Sequence, residues 1–156
     1  MPSVERTEVA AALKRAGLQI TAQRLAIYCA VHETPHSMAD EIWDLVHAEI
    51  GSVSRQAVYN ALNAMFEHGL IRRIQPAGSG ARYEVRVDNH HHLVCRACGA
   101  LVDTGCAKGK APCLKASEDH GFVVDEAEVI YWGHCPQCQD LLSKPTPPTP
   151  KHKSTP

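Results

Sequence analysis

The chain has 156 residues, 44% of them hydrophobic and 21% charged, with a net charge of −1. This is an ordinary globular composition, long enough for one domain or two small ones. It excludes a bilayer span, because no apolar run approaches the roughly 18 residues required, and it excludes a uniformly basic surface, so nucleic-acid binding must rest on a local patch.

The N-terminal stretch MPSVERTEVA has no apolar signal-peptide core, so the expected location is the cytosol. In a reducing compartment, seven cysteines and ten histidines point to metal or redox chemistry before structural disulfides.

Residues 4–16 read as an amphipathic helix, with Val9, Ala12, Leu13 and Ala16 at i, i+3, i+4 and i+7 and Gly17 as its stop. Thr21 is placed to cap a second helix that runs to about residue 32 and ends at the turn before Pro35. Ser37, followed by Asp40 and Glu41, opens a third, with Ile42, Leu45 and Val46 facing inward. Ser54 caps a fourth, SRQAVYNALNAMFEHG, whose buried stripe is Val58, Ala61, Leu62 and Met65 and whose stop is Gly69.

The period then changes. IRRIQ, PAGSG and ARYEVRV read as two strands joined by a Pro/Gly loop, with Arg72, Arg73 and Arg82 on the flanks. Helices followed by a basic hairpin is the order of a winged helix-turn-helix; the alternative is a generic small helical domain with a surface hairpin. From His90, HHLVCRAC and ALVDT are strand-like, and Pro112 to His120 reads as a short helix stopped by Gly121. FVVDEAEVIYW alternates as a strand, with Val123, Ala127, Val129 and Tyr131 on its core face. The expected fold class is α+β: a winged helix-turn-helix over 1–87, then a small α/β domain over 88–140. The Pro-, Thr- and Lys-rich remainder, 141–156, cannot bury a core and should be disordered.

Opposite its buried stripe the fourth helix presents Gln56, Tyr59, Asn60 and Asn63, with Arg55 at its start. Amides and a phenol can read base edges, whereas arginine and a helix N-terminus suit phosphate. Every surface helix has a polar face. The basic hairpin that follows, with Arg72 and Arg73, tips the reading to DNA.

Cys95, Cys98, Cys135 and Cys138 form C-x2-C…C-x2-C, two knuckles that together make a tetrahedral S4 zinc site. All four positions are filled, leaving none for Lewis-acid catalysis, so the zinc is structural. The redox-dithiol alternative wants a thioredoxin-like βαβ context that this pattern lacks. Cys106 and Cys113 could form a disulfide switch, supply further ligands or be idle thiols, and Cys29 reads as core.

His90 and His92 lie two apart on a strand and share a face, while His91 points the other way. Such a pair beside carboxylates suits Fe(II), Mn(II), Ni(II) or Zn(II). Glu84, Asp103 and the more distant His36 are placed to complete the shell. A site drawing ligands from both domains would set the angle between them.

Taken together, ITAQR, PHSMADEIW, VSRQAVYNAL, GLIRRI, HHHLVCRACG with VD following, and IYWGHCPQC resemble the ferric uptake regulator (Fur) family over nearly all of residues 5–140. GSGARYE, APCLKAS and DEAEVIYWG most resemble its FurA/CatR branch of actinobacteria, similar in role to the peroxide sensor PerR. The resemblance implies a homodimer with a winged helix and a C-terminal dimerisation domain. It implies operator DNA as partner, structural Zn(II) on the four cysteines, and regulatory Fe(II) or Mn(II) on His36, Glu84, His90, His92 and Asp103. Tyr59 matches the family's base-contacting tyrosine. In peroxide-sensing members bound Fe(II) reacts with hydrogen peroxide and oxidises a ligand histidine; His36 and His90 match those positions.

The implied function is a metal-dependent repressor, not an enzyme, controlling catalase-peroxidase and its own gene. The alternative is a nutrient sensor for iron, nickel or zinc. The chain departs from PerR members in having Glu84 where they have Asp. It also has Asn89 and Ala127 where a third metal site of some iron-sensing members takes ligands, so that site is not expected. A zinc- or thiol-dependent enzyme would need an open zinc position or a reactive dithiol, and four cysteines on one zinc remove both.

Overall fold

The computed structural model describes residues 4–88, 90–105, 118, 120–123 and 129–143. Helices α1 (Arg6–Arg15), α2 (Ala22–Glu33), α3 (Ala39–Ile50) and α4 (Arg55–Glu67) come first, with a two-residue strand β1 (Ser37–Met38) before α3. The hairpin strands β2 (Arg72–Ile74) and β3 (Arg82–Glu84) follow, then β4 (His91–Cys95), β5 (Leu101–Thr104), β6 (Ile130–Gly133) and α5 (Pro136–Ser143).

Local chemistry explains most of the boundaries. The Thr21 hydroxyl accepts from the Arg24 amide at 3.2 Å and the Ser54 hydroxyl from the Ala57 amide at 3.1 Å, each satisfying an orphan donor of its helix. Gly69 ends α4 at φ +68°, letting the Leu70 amide return to the Met65 carbonyl.

The start of α3 differs from the expectation. Ser37 does not cap it but lies in β1, paired with Tyr83, and Met38 holds the cap position, its amide donating to the Glu41 carboxylate at 2.7 Å. The sheet takes the backbone of Ser37 before the helix can use its hydroxyl. Leu45 is 44% exposed, not inward. The buried stripe of α3 is narrow (Ala39, Ile42, Val46), and one helical step of roughly 100° carries Leu45 off its edge.

The main core gathers Val9, Leu13, Ile27, Val31, Ile42, Val46, Val58, Leu62 and Met65 from the four helices and Tyr83 from β3. Leu62 is fully buried at its centre. Leu62→Ala should therefore lower stability by about 2–5 kcal/mol, the range for leucine truncation in a packed core, measured by denaturant unfolding.

The strands form two sheets, β1-β3-β2 and β5-β4-β6. In the first, alternation along β3 sends Tyr83 into the helical core and Arg82 and Glu84 to the opposite face. Ile74, paired with Arg82, packs there with Val94, Leu101 and Ile130 of the second sheet. This shared small core joins the two sheets.

In the second sheet β4 runs antiparallel to β5 and parallel to β6. The strand expected over FVVDEAEVIYW is shorter in the structure. Its ladder with β4 starts at Ile130, and Phe122 and Val123 lie outside it. Val123 is 96% exposed and is not a core-face residue; Tyr131 is partly exposed and Val129 half-buried.

Helix α5 was not foreseen. It starts on Pro136, whose locked φ suits a first helical position, and runs to Ser143, into the stretch expected to be disordered from residue 141. Asn89, Cys106, Cys113, Ala127, most of the helix expected over 112–120 and the tail from residue 144 lie outside the described residues. Among the described residues no helix is long and apolar enough to cross a membrane.

Candidate metal centres and reading face

Two ligand clusters are built on the second sheet, one of them reaching across to the first. In the first, the Sγ atoms of Cys95, Cys98, Cys135 and Cys138 lie within 4.8 Å of one another. The Cys98–Cys135 sulfur separation is 3.7 Å, whereas a tetrahedron with Zn–S bonds of about 2.3 Å has edges of about 3.8 Å. The two knuckles come from the end of β4 and the start of α5. The Cys135 amide donates to Cys95 Sγ at 3.3 Å, tying the start of α5 to β4. The residues fit a zinc ion with four thiolate ligands.

The second cluster is built of nitrogen and oxygen. His36 Nε2 lies 2.6 Å from Asp103 Oδ1 and 3.2 Å from Glu84 Oε2. His90 Nε2 lies 3.0 Å from Glu84 Oε1, and His92 Nε2 lies 3.6 Å from both Glu84 Oε1 and Asp103 Oδ1. Topology explains the convergence. Glu84 ends β3 on the face turned to the second sheet, and the register of β4 with β5 sets His92 directly opposite Asp103. His36 follows Pro35 at φ +68°, a left-handed conformation uncommon for a residue with a side chain.

Glu84, His90 and His92 are all 1% exposed or less. Burying a carboxylate without a compensating charge is costly. The nitrogens approach at ion-pair distance, yet no donor is aligned as a hydrogen bond to Glu84 Oε1 or Asp103 Oδ1 among the described residues. Imidazoles ligate in their neutral form, so with two carboxylates the set would bring two negative charges to a metal, which one divalent cation cancels. His36, Glu84, His92 and Asp103 bring ligand atoms within 4.8 Å of one another, with His90 beside them on Glu84, and the chemistry of these groups fits a borderline or hard divalent metal.

The surroundings orient these groups. His90 Nδ1 lies 2.8 Å from the Asp88 carbonyl, which leaves Nε2 directed into the cluster. Arg86 grips the Asp88 carboxylate and reaches Asp103 Oδ2 at 3.4 Å. For His36, burial opposes charging, but the hydrogen bond to Glu84 and the charges of Asp103 and Glu84 outweigh it and raise its pKa above the ordinary histidine value. A proton on His36 thus competes with a metal. His91, on the other side of the pleat, is buried edge-on to Tyr131 with ring centroids 6.3 Å apart.

On α4, Arg55, Gln56, Tyr59, Asn60 and Asn63 are exposed together. Arg55 is ion-paired with Asp40, and its guanidinium lies 4.0 Å from the centroid of the Trp43 ring. Trp43 is held in turn by its indole N–H on the Val53 carbonyl at 2.9 Å. Sequence reasoning passed over Trp43, whose only signal was an aromatic beside the inward stripe of α3. Of the hairpin arginines, Arg73 is exposed over the Phe66 ring, Arg72 is half-buried with a bond to the Asp88 carbonyl, and Arg82 turns inward.

A winged helix with an exposed polar reading face, joined to a sheet that carries a sulfur cluster and an imidazole–carboxylate cluster, defines a metal-binding regulator fold. The model of the ferric uptake regulator family matches residues 15–132. The transcriptional regulator FurA of Mycobacterium tuberculosis is 54% identical over 127 residues, covering 81% of this chain and 86% of that protein. The peroxide-responsive repressor PerR of Staphylococcus aureus is 29% identical over 137 residues, covering 87% and 93%. Among solved structures, the Helicobacter pylori ferric uptake regulator Fur superposes with a TM-score of 0.65 at 18% identity, covering 88% of this chain and 95% of that one. The chain belongs to the ferric uptake regulator family of metal-responsive transcriptional regulators.

Proposed function

We propose that this protein is a cytosolic, homodimeric repressor that binds operator DNA while a regulatory Fe(II) or Mn(II) is in place, and releases it when peroxide damages that site. Its targets would be catalase-peroxidase and its own gene. The observation that carries this reading is the buried cluster itself. It takes His36 and Glu84 from the winged-helix half, residues 1–87, and His90, His92 and Asp103 from the half that follows. Ligands from both sides of a boundary near residue 88 couple occupancy to the placement of α4 on DNA.

His36, Glu84, His90, His92 and Asp103 would hold the regulatory ion, and Cys95, Cys98, Cys135 and Cys138 a structural Zn(II). When bound, Fe(II) supplies the electron that hydrogen peroxide needs to generate an oxidant beside the imidazoles. An oxidised imidazole no longer offers its Nε2 lone pair, so the cluster loses a ligand and the two halves lose their tie. On the DNA side, Tyr59, Gln56, Asn60 and Asn63 are available for base edges and Arg55 and Arg73 for phosphate. Arg72 serves less, its guanidinium being drawn to Asp88. Dimerisation is supported by an exposed apolar row across the second sheet, where Leu93 pairs with Val102 on one side and Tyr131 on the other.

Glu84 favours a second reading, a sensor of iron, nickel or zinc supply, because the peroxide-sensing pattern has the shorter aspartate there. One experiment separates the two. Peroxide added to the Fe(II) form, but not the Mn(II) form, should add an oxygen atom to peptides carrying His36 or His90, read by mass spectrometry. Unmodified histidines would favour the nutrient sensor, and oxidation confined to cysteine a thiol switch.

A further inference from the structure

We infer that Arg82 is a positioning residue for the imidazole–carboxylate metal site, clamping the loop that carries His36 onto the first cysteine knuckle. Arg82 is half-buried on the same face of β3 as Glu84. One guanidinium nitrogen, Nη1, donates to the His36 carbonyl at 3.0 Å; the other, Nη2, donates to the Gly99 carbonyl at 3.1 Å. Gly99 directly follows Cys98, and its amide closes the knuckle on the Cys95 carbonyl at 2.9 Å.

The two acceptors belong to different ligand clusters. A planar fork with fixed donor directions can bridge them at once; an ammonium cannot match both. The His36 backbone is then held from both sides by consecutive residues of β3. Its amide donates to the Tyr83 carbonyl at 2.8 Å, and its carbonyl accepts from Arg82. This matters because His36 occupies the left-handed region at φ +68°, which a side-chain residue leaves when nothing restrains it. Without Arg82 the peptide of His36 can relax and swing Nε2 away from Glu84 and Asp103. Gly99 suits this turn because its φ of +72° disfavours a side chain, while the space beside Arg82 Nη2 would take a Cβ at an ordinary 3.6 Å contact.

This inference rests on reading His36, Glu84, His90, His92 and Asp103 as one metal site. Its test is a Mn(II) titration, followed by the electron paramagnetic resonance of free and bound Mn(II), on zinc-loaded wild type, Arg82→Ala, Arg82→Lys and His90→Ala. Arg82→Ala should bind Mn(II) about 10- to 100-fold more weakly, the usual effect of losing a group that orients a ligand, with zinc content unchanged. Arg82→Lys keeps the charge and stem but not the fork, and should fall between. If Arg82→Ala does not fold, Arg82→Lys decides the matter alone, because wild-type Mn(II) affinity in it would overturn the clamp. A lowered melting temperature with unchanged Mn(II) affinity in either variant would overturn it too, leaving Arg82 a merely structural role. If wild type and His90→Ala bind Mn(II) equally, the metal-site reading itself falls.

Discussion

Cys95→Ser is expected to release zinc, unfold the second sheet and with it end dimerisation. Among the described residues the small core there buries Ile74, Val94 and Leu101, with Ile130 against them, so a zinc tie would carry much of the stability of these short strands. A structural zinc supplies apparent binding free energy of about 10–16 kcal/mol that is also folding free energy. Cys95 is the sulfur that joins both knuckles, accepting the Cys135 amide.

The metal-free thiols are unequal. Backbone amides of Cys135 and Cys98 pull the Cys95 thiol down to about 5, while hydrogen bonds with the Cys135 and Cys98 thiols push Cys138 up to about 12. The lowered Cys95 pKa favours its thiolate and the raised Cys138 pKa favours its thiol, so zinc uptake at Cys138 competes with a proton. Zinc uptake should release protons, and zinc should be lost as the pH falls. Elemental analysis with sedimentation checks the variant; a zinc-free Cys95→Ser that stays folded and dimeric would contradict the prediction.

His90→Ala should have an equally large but separable effect. It removes the imidazole nitrogen 3.0 Å from Glu84 Oε1 and leaves a carboxylate that is 1% exposed with one partner fewer. Losing a direct ligand should weaken the regulatory metal by more than about 100-fold, beyond the effect of losing an orienting group. The zinc cluster, which shares none of these atoms, should stay loaded. In a gel-shift assay titrated with Mn(II), operator binding should lose its metal dependence. Retention of the wild-type metal response would count against His90 as a ligand.

The two variants act on clusters of different legibility. The cysteine set could be read from spacing alone, because each Cys-x-x-C is a local unit and two such units need only one meeting. The imidazole–carboxylate set was harder to read, since His36 lies 48 residues from Glu84 in the chain. Period-two spacing could pair His90 with His92; Glu84, Asp103 and His36 were candidates by residue type and place in the chain, and the family resemblance matched all five to one site. What makes them one cluster is the β4–β5 register and the face of β3 on which Glu84 stands.

The same division runs through the fold. The amino-acid sequence by itself determined the features that close within a few residues: the caps at Thr21 and Ser54, the glycine stops, the buried stripe of α4 and the cysteine knuckles. Their energetics are local, so a single segment carries the whole signal. Only the tertiary structure decided that Ser37 joins a sheet, that Leu45 and Val123 stay in solvent, that Trp43 supports Arg55, and that Arg82 turns inward to the His36 and Gly99 carbonyls. Each of those outcomes depends on which partner a distant segment presents. A side chain's alternation or charge limits its choices, but the neighbour across the sheet makes the selection.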